Sequence, residues 1–198
     1  MTTKLNFIAS AAFLSVLAGC GGGGGDAAPA ASNPGVTVNA FADQIGTYSS
    51  GCVVDSDSPA TATYGGASQI TTVVISNPIG ADKATVSFQG KFFPASDKCL
   101  AGSESADLVV GGQITQLTGT KAITGTASRP KSGTAKIAEF RFDSFTLTKG
   151  TVNGTIPTFG TTTKVGYLIE GTKAYAITQH RDADGLGSSF STTVLTKQ

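Results

Sequence analysis

The stretch KATVSFQGKF, residues 83–92, decides the fold, because its apolar and polar side chains alternate from one end to the other. One face collects Ala84, Val86, Phe88, Gly90 and Phe92, and the other collects lysine, threonine, serine and glutamine. A period of two places successive side chains on opposite faces of a β-strand. The stretch therefore predicts a half-buried strand of an antiparallel sheet.

Seven further stretches predict strands on the same grounds: 45–54, 70–76, 108–117, 135–148, 164–170, 173–181 and 190–197. Most are joined by short connections, and sequential strands with short connections usually pair as a meander. Eight antiparallel strands hide their edges best by closing on themselves. The sequence therefore predicts an all-β protein, an antiparallel meander barrel of about eight strands, with a two-sheet β-sandwich as the alternative.

The longest predicted strand, 135–148, contains a change of phase. Ala138, Phe140 and Phe142 are even-numbered, whereas Phe145 and Leu147 are odd-numbered. One extra residue near Asp143 would return both sets to one face, which predicts a β-bulge or a sharp bend there.

Two connections contain residues that are typical of loops and turns. The stretch 119–133 is polar and rich in glycine, which predicts a long loop with at most a short strand at 122–126. Gly171-Thr172 predicts a tight turn between two alternating strands.

The composition argues against several classes of protein. Lys and Arg number 14 against 13 Asp and Glu, so there is no basic excess to bind nucleic acid and no acidic excess to keep the chain disordered. Threonine (28 residues) and glycine (26) are abundant, which favours strands and turns over helices.

The N-terminus predicts export and lipid attachment. Lys4 precedes an apolar run at 7–17, which is too short for a bilayer span of about 20 residues but suits a signal peptide. Leu17-Ala18-Gly19-Cys20 then resembles the lipobox of bacterial lipoproteins. The resemblance implies that residues 1–19 are removed and that Cys20 carries lipid, which makes the membrane a partner. An ordinary signal peptide with an incidental cysteine is the alternative.

Residues 20–35 predict a flexible tether, because five glycines at 21–25 precede an alanine- and proline-rich stretch. Residues 36–198 remain as one β-barrel domain. Gly21 follows the cysteine, whereas an aspartate there retains enterobacterial lipoproteins in the inner membrane. The resemblance therefore implies an outer-membrane lipoprotein with its domain in the periplasm or at the cell surface.

The remaining cysteines, Cys52 and Cys99, are predicted to form a structural disulfide, since an exported domain occupies an oxidising space. A redox or metal-binding pair is the alternative. The chain has no Cys-x-x-Cys motif, and its single histidine is distant, at position 180.

A resemblance to known proteins rests on the opening of the domain. Gly46-Thr47-Tyr48 is similar to the Gly-x-Trp of lipocalin-like barrels, which begin with a short helical turn, although tyrosine replaces tryptophan here. The whole layout, with a lipobox, a glycine linker, an early Gly51-Cys52, a second mid-chain cysteine and a late Asp-Ala-Asp-Gly turn, resembles small lipoproteins of proteobacteria. This resemblance implies a barrel-like lipoprotein and no particular activity.

The sequence offers one candidate metal site. Asp182-Ala-Asp184-Gly185 resembles the start of calcium loops, in which alternate carboxylates supply oxygen ligands. No glutamate follows to complete such a loop, so the main interpretation is the tip of the last hairpin, and Ca²⁺ is the alternative. Asp55 and Asp57 form a second acidic pair that would contribute if both connections shared one rim.

The favoured function is a non-enzymatic structural or binding module of the cell envelope, with a protein or a small apolar ligand as partner. The aromatic residues that either fill the barrel or line a ligand cavity are Phe88, Phe92, Phe93, Phe140, Phe142, Phe145, Tyr167 and Tyr175. An envelope hydrolase that uses His180 with a nearby acid is the alternative. No Gly-x-Ser-x-Gly motif supports that alternative.

Overall fold

The computed structural model describes residues 38–54, 68–94, 96–151, 156–178 and 182–198. These residues form one 3-10 helix, Ala42–Gln44, and nine strands: β1 (Gly46–Ser49), β2 (Val53–Val54), β3 (Ser68–Ile79), β4 (Lys83–Phe93), β5 (Ala106–Ile123), β6 (Gly133–Lys149), β7 (Thr162–Glu170), β8 (Lys173–Ile177) and β9 (Phe190–Lys197). No helix among the described residues is long and apolar enough to span a membrane.

The strands close into an eight-stranded antiparallel barrel. β1 and β2 both pair with β3, so together they occupy one strand position in the wall. Each later strand pairs with the next, from β3 through β9. β9 returns to β1 through the pairs Tyr48 with Lys197 and Ser49 with Thr196. The predicted meander barrel is therefore confirmed, and the sandwich is not formed.

The predicted bulge is confirmed in β6. Gly111 of β5 lies opposite Ser144 and Gly112 lies opposite Phe142, which leaves Asp143 as the extra residue. The bulge returns Phe145 to the inner face, where it packs against the same core as Phe142.

The turn at Gly171-Thr172 is also confirmed, because Glu170 pairs directly with Lys173. Gly171 has φ 58°, the left-handed conformation that a tight turn requires. The next strand is shorter than the predicted 173–181: β8 ends at Ile177, and 179–181 lie outside the described residues.

The prediction of a long loop at 119–133 is wrong. β5 continues to Ile123 and β6 begins at Gly133, so only 124–132 connect them. Gln116 pairs with Ala138 and Thr120 pairs with Lys136, so three residues of β5 face one residue of β6. The end of this hairpin, residues 117–137, is called the hairpin extension below.

The hairpin extension folds onto the outer face of β7, β8 and β9. Ile123 and Ala135 from the extension form a second buried cluster with Phe190, against which three outward side chains pack: Leu168, Tyr175 and Ile177. The outer face of these three strands is thus partly apolar and is covered by the hairpin extension. The sequence did not indicate that the extension covers this face, because the extension is rich in threonine and glycine.

The main core fills the barrel. Tyr48, Tyr167, Phe140, Ile114 and Leu195 retain 0–1% of their surface. A side chain that lined a space large enough for water would retain more exposed area, so the barrel is packed by protein around these residues. Among the predicted aromatic set, Tyr175 lies instead in the outer cluster.

The two ends of the barrel differ. The β3–β4 turn, the β7–β8 turn and the 3-10 helix lie at one end, called the closed end. Antiparallel strands place alternate connections at opposite ends, so the connections into β3, β5, β7 and β9 lie at the other, called the loop end.

A set of contacts seals the closed end around Tyr48. Its hydroxyl donates to the carbonyl of Gln44 at 3.1 Å, and burial raises the pKa of Tyr48 to about 12. Lys197 Nζ lies 5.7 Å from the centre of the Tyr48 ring and donates to the carbonyl of Asp43 at 3.2 Å. A short helical turn followed by glycine and a buried aromatic residue is the arrangement expected from residues 46–48.

Candidate functional site

Several predicted site residues lie outside the described residues. These are Cys20, Asp55, Asp57 and His180. Lipid attachment, the second acidic pair and the hydrolase alternative therefore stay predictions. In chain order, Asp55 and Asp57 fall between β2 and β3, and His180 falls between β8 and β9.

The predicted disulfide is present. Cys52 and Cys99 are bonded, with their Cα atoms 5.8 Å apart. The bridge joins the segment between β1 and β2 to the β4–β5 connection, so it fastens two loop-end segments together. Lys98 (φ 33°) and Cys99 (φ 66°) both adopt left-handed backbone conformations that are uncommon for residues other than glycine.

The predicted turn at Asp182–Gly185 is present within the β8–β9 connection. The amide of Gly185 donates to the carbonyl of Asp182 at 2.9 Å, and the amide of Asp182 donates to the carbonyl of Leu186 at 2.7 Å. Asp184 Oδ1 accepts from the amide of Leu186 at 3.0 Å. These bonds fix the backbone of the turn and the carboxylate of Asp184.

The side chain that occupies this pair of carboxylates is Lys121 of the hairpin extension. Its Nζ lies 2.9 Å from Asp182 Oδ2 and 2.8 Å from Asp184 Oδ2. It also donates to the carbonyl of Leu186 at 3.4 Å. The turn therefore holds an ammonium group where the sequence predicted a possible cation site.

The charges at this contact alter each other's titration. Partial burial lowers the pKa of Lys121, but the hydrogen bonds to Asp184 and Asp182 outweigh it, and the net shift is upward. The hydrogen bond from Lys121, together with the Leu186 amide, lowers the pKa of Asp184. A calcium ion would have to displace the ammonium, and the described residues hold no group of three or more His, Cys, Asp or Glu side chains suited to a metal.

Two further basic residues hold the hairpin extension and its tip. Lys131 Nζ lies 2.5 Å from Glu170 Oε1 and 4.8 Å from the centre of the Tyr175 ring. Arg129 donates to the carbonyl of Phe190 at 3.4 Å. Sequence reasoning missed these contacts because the partners are 39 to 61 residues apart and follow no motif.

The loop end carries four of the large exposed apolar side chains of the described residues. Phe159 is 61% exposed and stacks on Phe142, with ring centres 5.3 Å apart. Val54, Leu100 and Ile156 are also exposed and lie on connections or strand ends at the same end.

Comparisons with known proteins give no relative from which to transfer a function. No protein-family model, curated protein or solved structure matches the chain. The function is therefore inferred from the residues of this chain alone.

Proposed function

We propose that the protein is a lipoprotein of the bacterial cell envelope, held at the outer membrane by lipid on Cys20. Its barrel serves as a non-enzymatic structural or binding module in the periplasm or at the cell surface. The observation that carries the proposal is the Cys52–Cys99 disulfide, which suits an exported domain, in a chain that begins with a signal-like run and Leu-Ala-Gly-Cys.

The wall of the barrel supports attachment through a lipid. On β4, the polar residues Ser87, Gln89 and Lys91 alternate with inward apolar residues such as Val86 and Phe88. The outward positions of β4 thus suit water, and its apolar side chains face the core. Membrane contact would therefore come from the acylated cysteine at the other end of the predicted tether.

The charged groups of the described residues, which do not include His180, fit a module without catalysis. Functional acids and bases usually combine a shifted pKa with a cleft that leaves them accessible to substrate. Here the lowered pKa of Asp184 comes first from Lys121, and that of Glu104 from its own backbone amide, the amide of Gly102 and Lys149. Arg141 pairs with Asp143, which raises the pKa of Arg141. Each of these three charged side chains interacts with a neighbour in a contact that stabilises the fold.

The packed core limits where on the barrel a ligand or a protein partner would bind. Tyr48, Tyr167 and Phe140 retain at most 1% of their surface, so a small apolar ligand would bind away from them, and Phe159 at the loop end is exposed to contact it. A protein partner would meet the same apolar side chains. Both alternatives place recognition at the loop end.

Metabolic labelling with palmitate in a bacterial host tests the proposal. The native chain should incorporate the label, and Cys20→Ser should not, because the thiol is the site of lipid attachment. The control is the Cys52→Ala/Cys99→Ala double variant, which should keep its label. Equal labelling of the native chain and Cys20→Ser would overturn the proposal.

A further inference from the structure

We propose that the Cys52–Cys99 bridge is a redox-active disulfide, which an external dithiol opens while the barrel stays folded. The proposal goes beyond the proposed function, in which the bridge only marks an exported domain, and it does not depend on lipid at Cys20. It assigns to the loop end a site of thiol–disulfide exchange whose reaction partner is a dithiol.

The backbone at Cys99 has a conformation that its residue type disfavours. The amide of Leu100 donates to the carbonyl of Asp97 at 2.7 Å, which closes a tight turn with Lys98 and Cys99 at its centre. Both central residues have positive φ, 33° and 66°. This is the type I′ arrangement, which strongly prefers Asn-Gly. A lysine and a cysteine therefore raise the free energy of the turn.

The bridge is the constraint that selects this turn. The same four residues could form an ordinary turn with negative φ at both centres, and the hydrogen bond between Leu100 and Asp97 would be kept. The mirror-image backbone would point the Cβ of Cys99 in a different direction. Because the Cα atoms of Cys52 and Cys99 lie 5.8 Å apart, a redirected Cys99 side chain would no longer meet Cys52 with disulfide geometry. The oxidised form therefore holds a backbone conformation that the reduced form is free to leave.

Two carbonyl oxygens are placed to accept hydrogen bonds from the thiols after reduction. Cys52 Sγ lies 3.5 Å from the carbonyl oxygen of Lys98, and Cys99 Sγ lies 3.8 Å from that of Gln69. A disulfide sulfur carries no hydrogen, so these contacts become hydrogen bonds only when the bridge is open. Interactions that only the reduced form makes shift the equilibrium toward reduction.

Opening the bridge leaves the strands in place, because neither cysteine belongs to a strand. Shortly before Cys52, the amide of Ser50 donates to the carbonyl of Thr71 at 2.9 Å. Where the β4–β5 connection ends, the amide of Ser105 donates to the carbonyl of Phe92 at 2.8 Å. Reduction therefore frees the turn between these two fixed points and keeps the barrel closed.

The exchange begins at the more accessible sulfur, since Cys52 is exposed and Cys99 is partly buried. A thiolate of the dithiol attacks Cys52 Sγ, the bond between the two cysteines breaks, and its electron pair leaves on Cys99 Sγ, which takes up a proton. The second thiol of the partner, as its thiolate, then attacks the mixed disulfide. This step forms the partner's own disulfide and releases Cys52 as a thiolate, which is also protonated. The dithiol is oxidised and the bridge is reduced.

Reduction equilibria in dithiothreitol test the proposal. In the Cys20→Ser chain the bridged pair are the only cysteines. This chain is equilibrated with mixtures of reduced and oxidised dithiothreitol, free thiols are alkylated, and the reduced fraction is measured by mass. Because glycine adopts positive φ without penalty, adding Lys98→Gly relieves the turn, and we expect its equilibrium constant for reduction to be about fivefold lower. Ala101→Gly, at an exposed position with negative φ in the same connection, is the matched control for added flexibility and should leave the constant nearly unchanged.

The outcomes decide the proposal whatever the fate of Cys20, since every chain in the test lacks that thiol. Equal constants with and without Lys98→Gly would overturn it, as would a bridge that dithiothreitol opens only after urea has unfolded the barrel. Amide exchange in β4 and β5 should be the same in the oxidised and reduced chains. With glutathione as the thiol, the trapped mixed disulfide should be on Cys52, and an adduct mainly on Cys99 would contradict the order of attack.

Discussion

Lys121 and Asp184 are 63 residues apart in the chain, and Lys121 Nζ lies within 3.0 Å of both carboxylate oxygens of Asp184. The contact joins the hairpin extension to the β8–β9 connection across the outer face of the barrel. The contact therefore has two roles. It holds the hairpin extension over the outer apolar cluster, and it neutralises the carboxylates of the acidic turn.

Removing the ammonium should loosen the hairpin extension. We expect Lys121→Met to increase the rate of amide hydrogen exchange in 117–137 and to leave exchange in β3 and β4 unchanged, since the pairs between β4 and β5 end at Thr115, before the extension. Lys173→Met, at an exposed position on β8, is the matched control. Equal protection of 117–137 in the native chain and Lys121→Met would show that the contact does not hold the hairpin.

The same contact predicts an acid-dependent loss of stability. The pKa of Asp184 in the folded chain lies below its ordinary value of 3.8, so the stabilisation is present above that value and is lost as the pH falls through the folded pKa. The difference in melting temperature between the native chain and Lys121→Met should thus be largest near neutral pH and shrink below pH 3.8. A difference that stays constant down to strong acid would contradict this assignment.

Calcium binding at Asp182 and Asp184 is tested by the same variant. A calcium ion must displace the Lys121 ammonium, so we expect millimolar calcium to raise the melting temperature of Lys121→Met more than that of the native chain. Magnesium is the control ion, because it demands stricter octahedral geometry. If calcium has no effect on either chain, the turn is structural only.

The disulfide should contribute substantially to stability. The bonded cysteines are 47 residues apart, and loop closure of that length restricts the unfolded chain by about 4 kcal/mol. We expect urea unfolding of Cys52→Ala/Cys99→Ala to show a loss of that order, and Cys20→Ser to show none. Free thiols at both positions in the native chain, read by non-reducing mass spectrometry, would refute the bridge.

The bulge predicts a sharp difference between two adjacent glycines. A Cβ on Gly112 would lie 1.9 Å from the carbonyl oxygen of Arg141, which is backbone, whereas a Cβ on Gly111 would meet only the exposed Ser144 side chain. We expect Gly112→Ala to lower the free energy of unfolding by about 1–3 kcal/mol. Gly111→Ala should cost much less, and equal losses for the two would show that the bulge is misplaced.

Most of the fold could be predicted from the local alternation of apolar and polar residues. The period of two at 83–92 and the phase change around Asp143 are properties of neighbouring residues, so strands and bulge were accessible. The hairpin extension was not, because its pairing depends on a bulge at 117–119 and on an apolar face supplied by Phe190 from far along the chain.

The contacts at the acidic turn show the same limit. Asp182 and Asp184 were recognisable as a turn with two carboxylates, but nothing in their neighbourhood indicates which cation they hold. The partner comes from β5 and is decided by how the hairpin bends. Tertiary geometry, and not local motif, determined the chemistry of that pair.

The mass of the N-terminal peptide of the chain, purified from bacterial membranes, tests the central claim most directly. We predict a mature chain that begins at Cys20 and carries a diacylglycerol thioether and an acylated amine. A chain that begins at Met1 and is recovered in the soluble fraction without lipid would contradict the account.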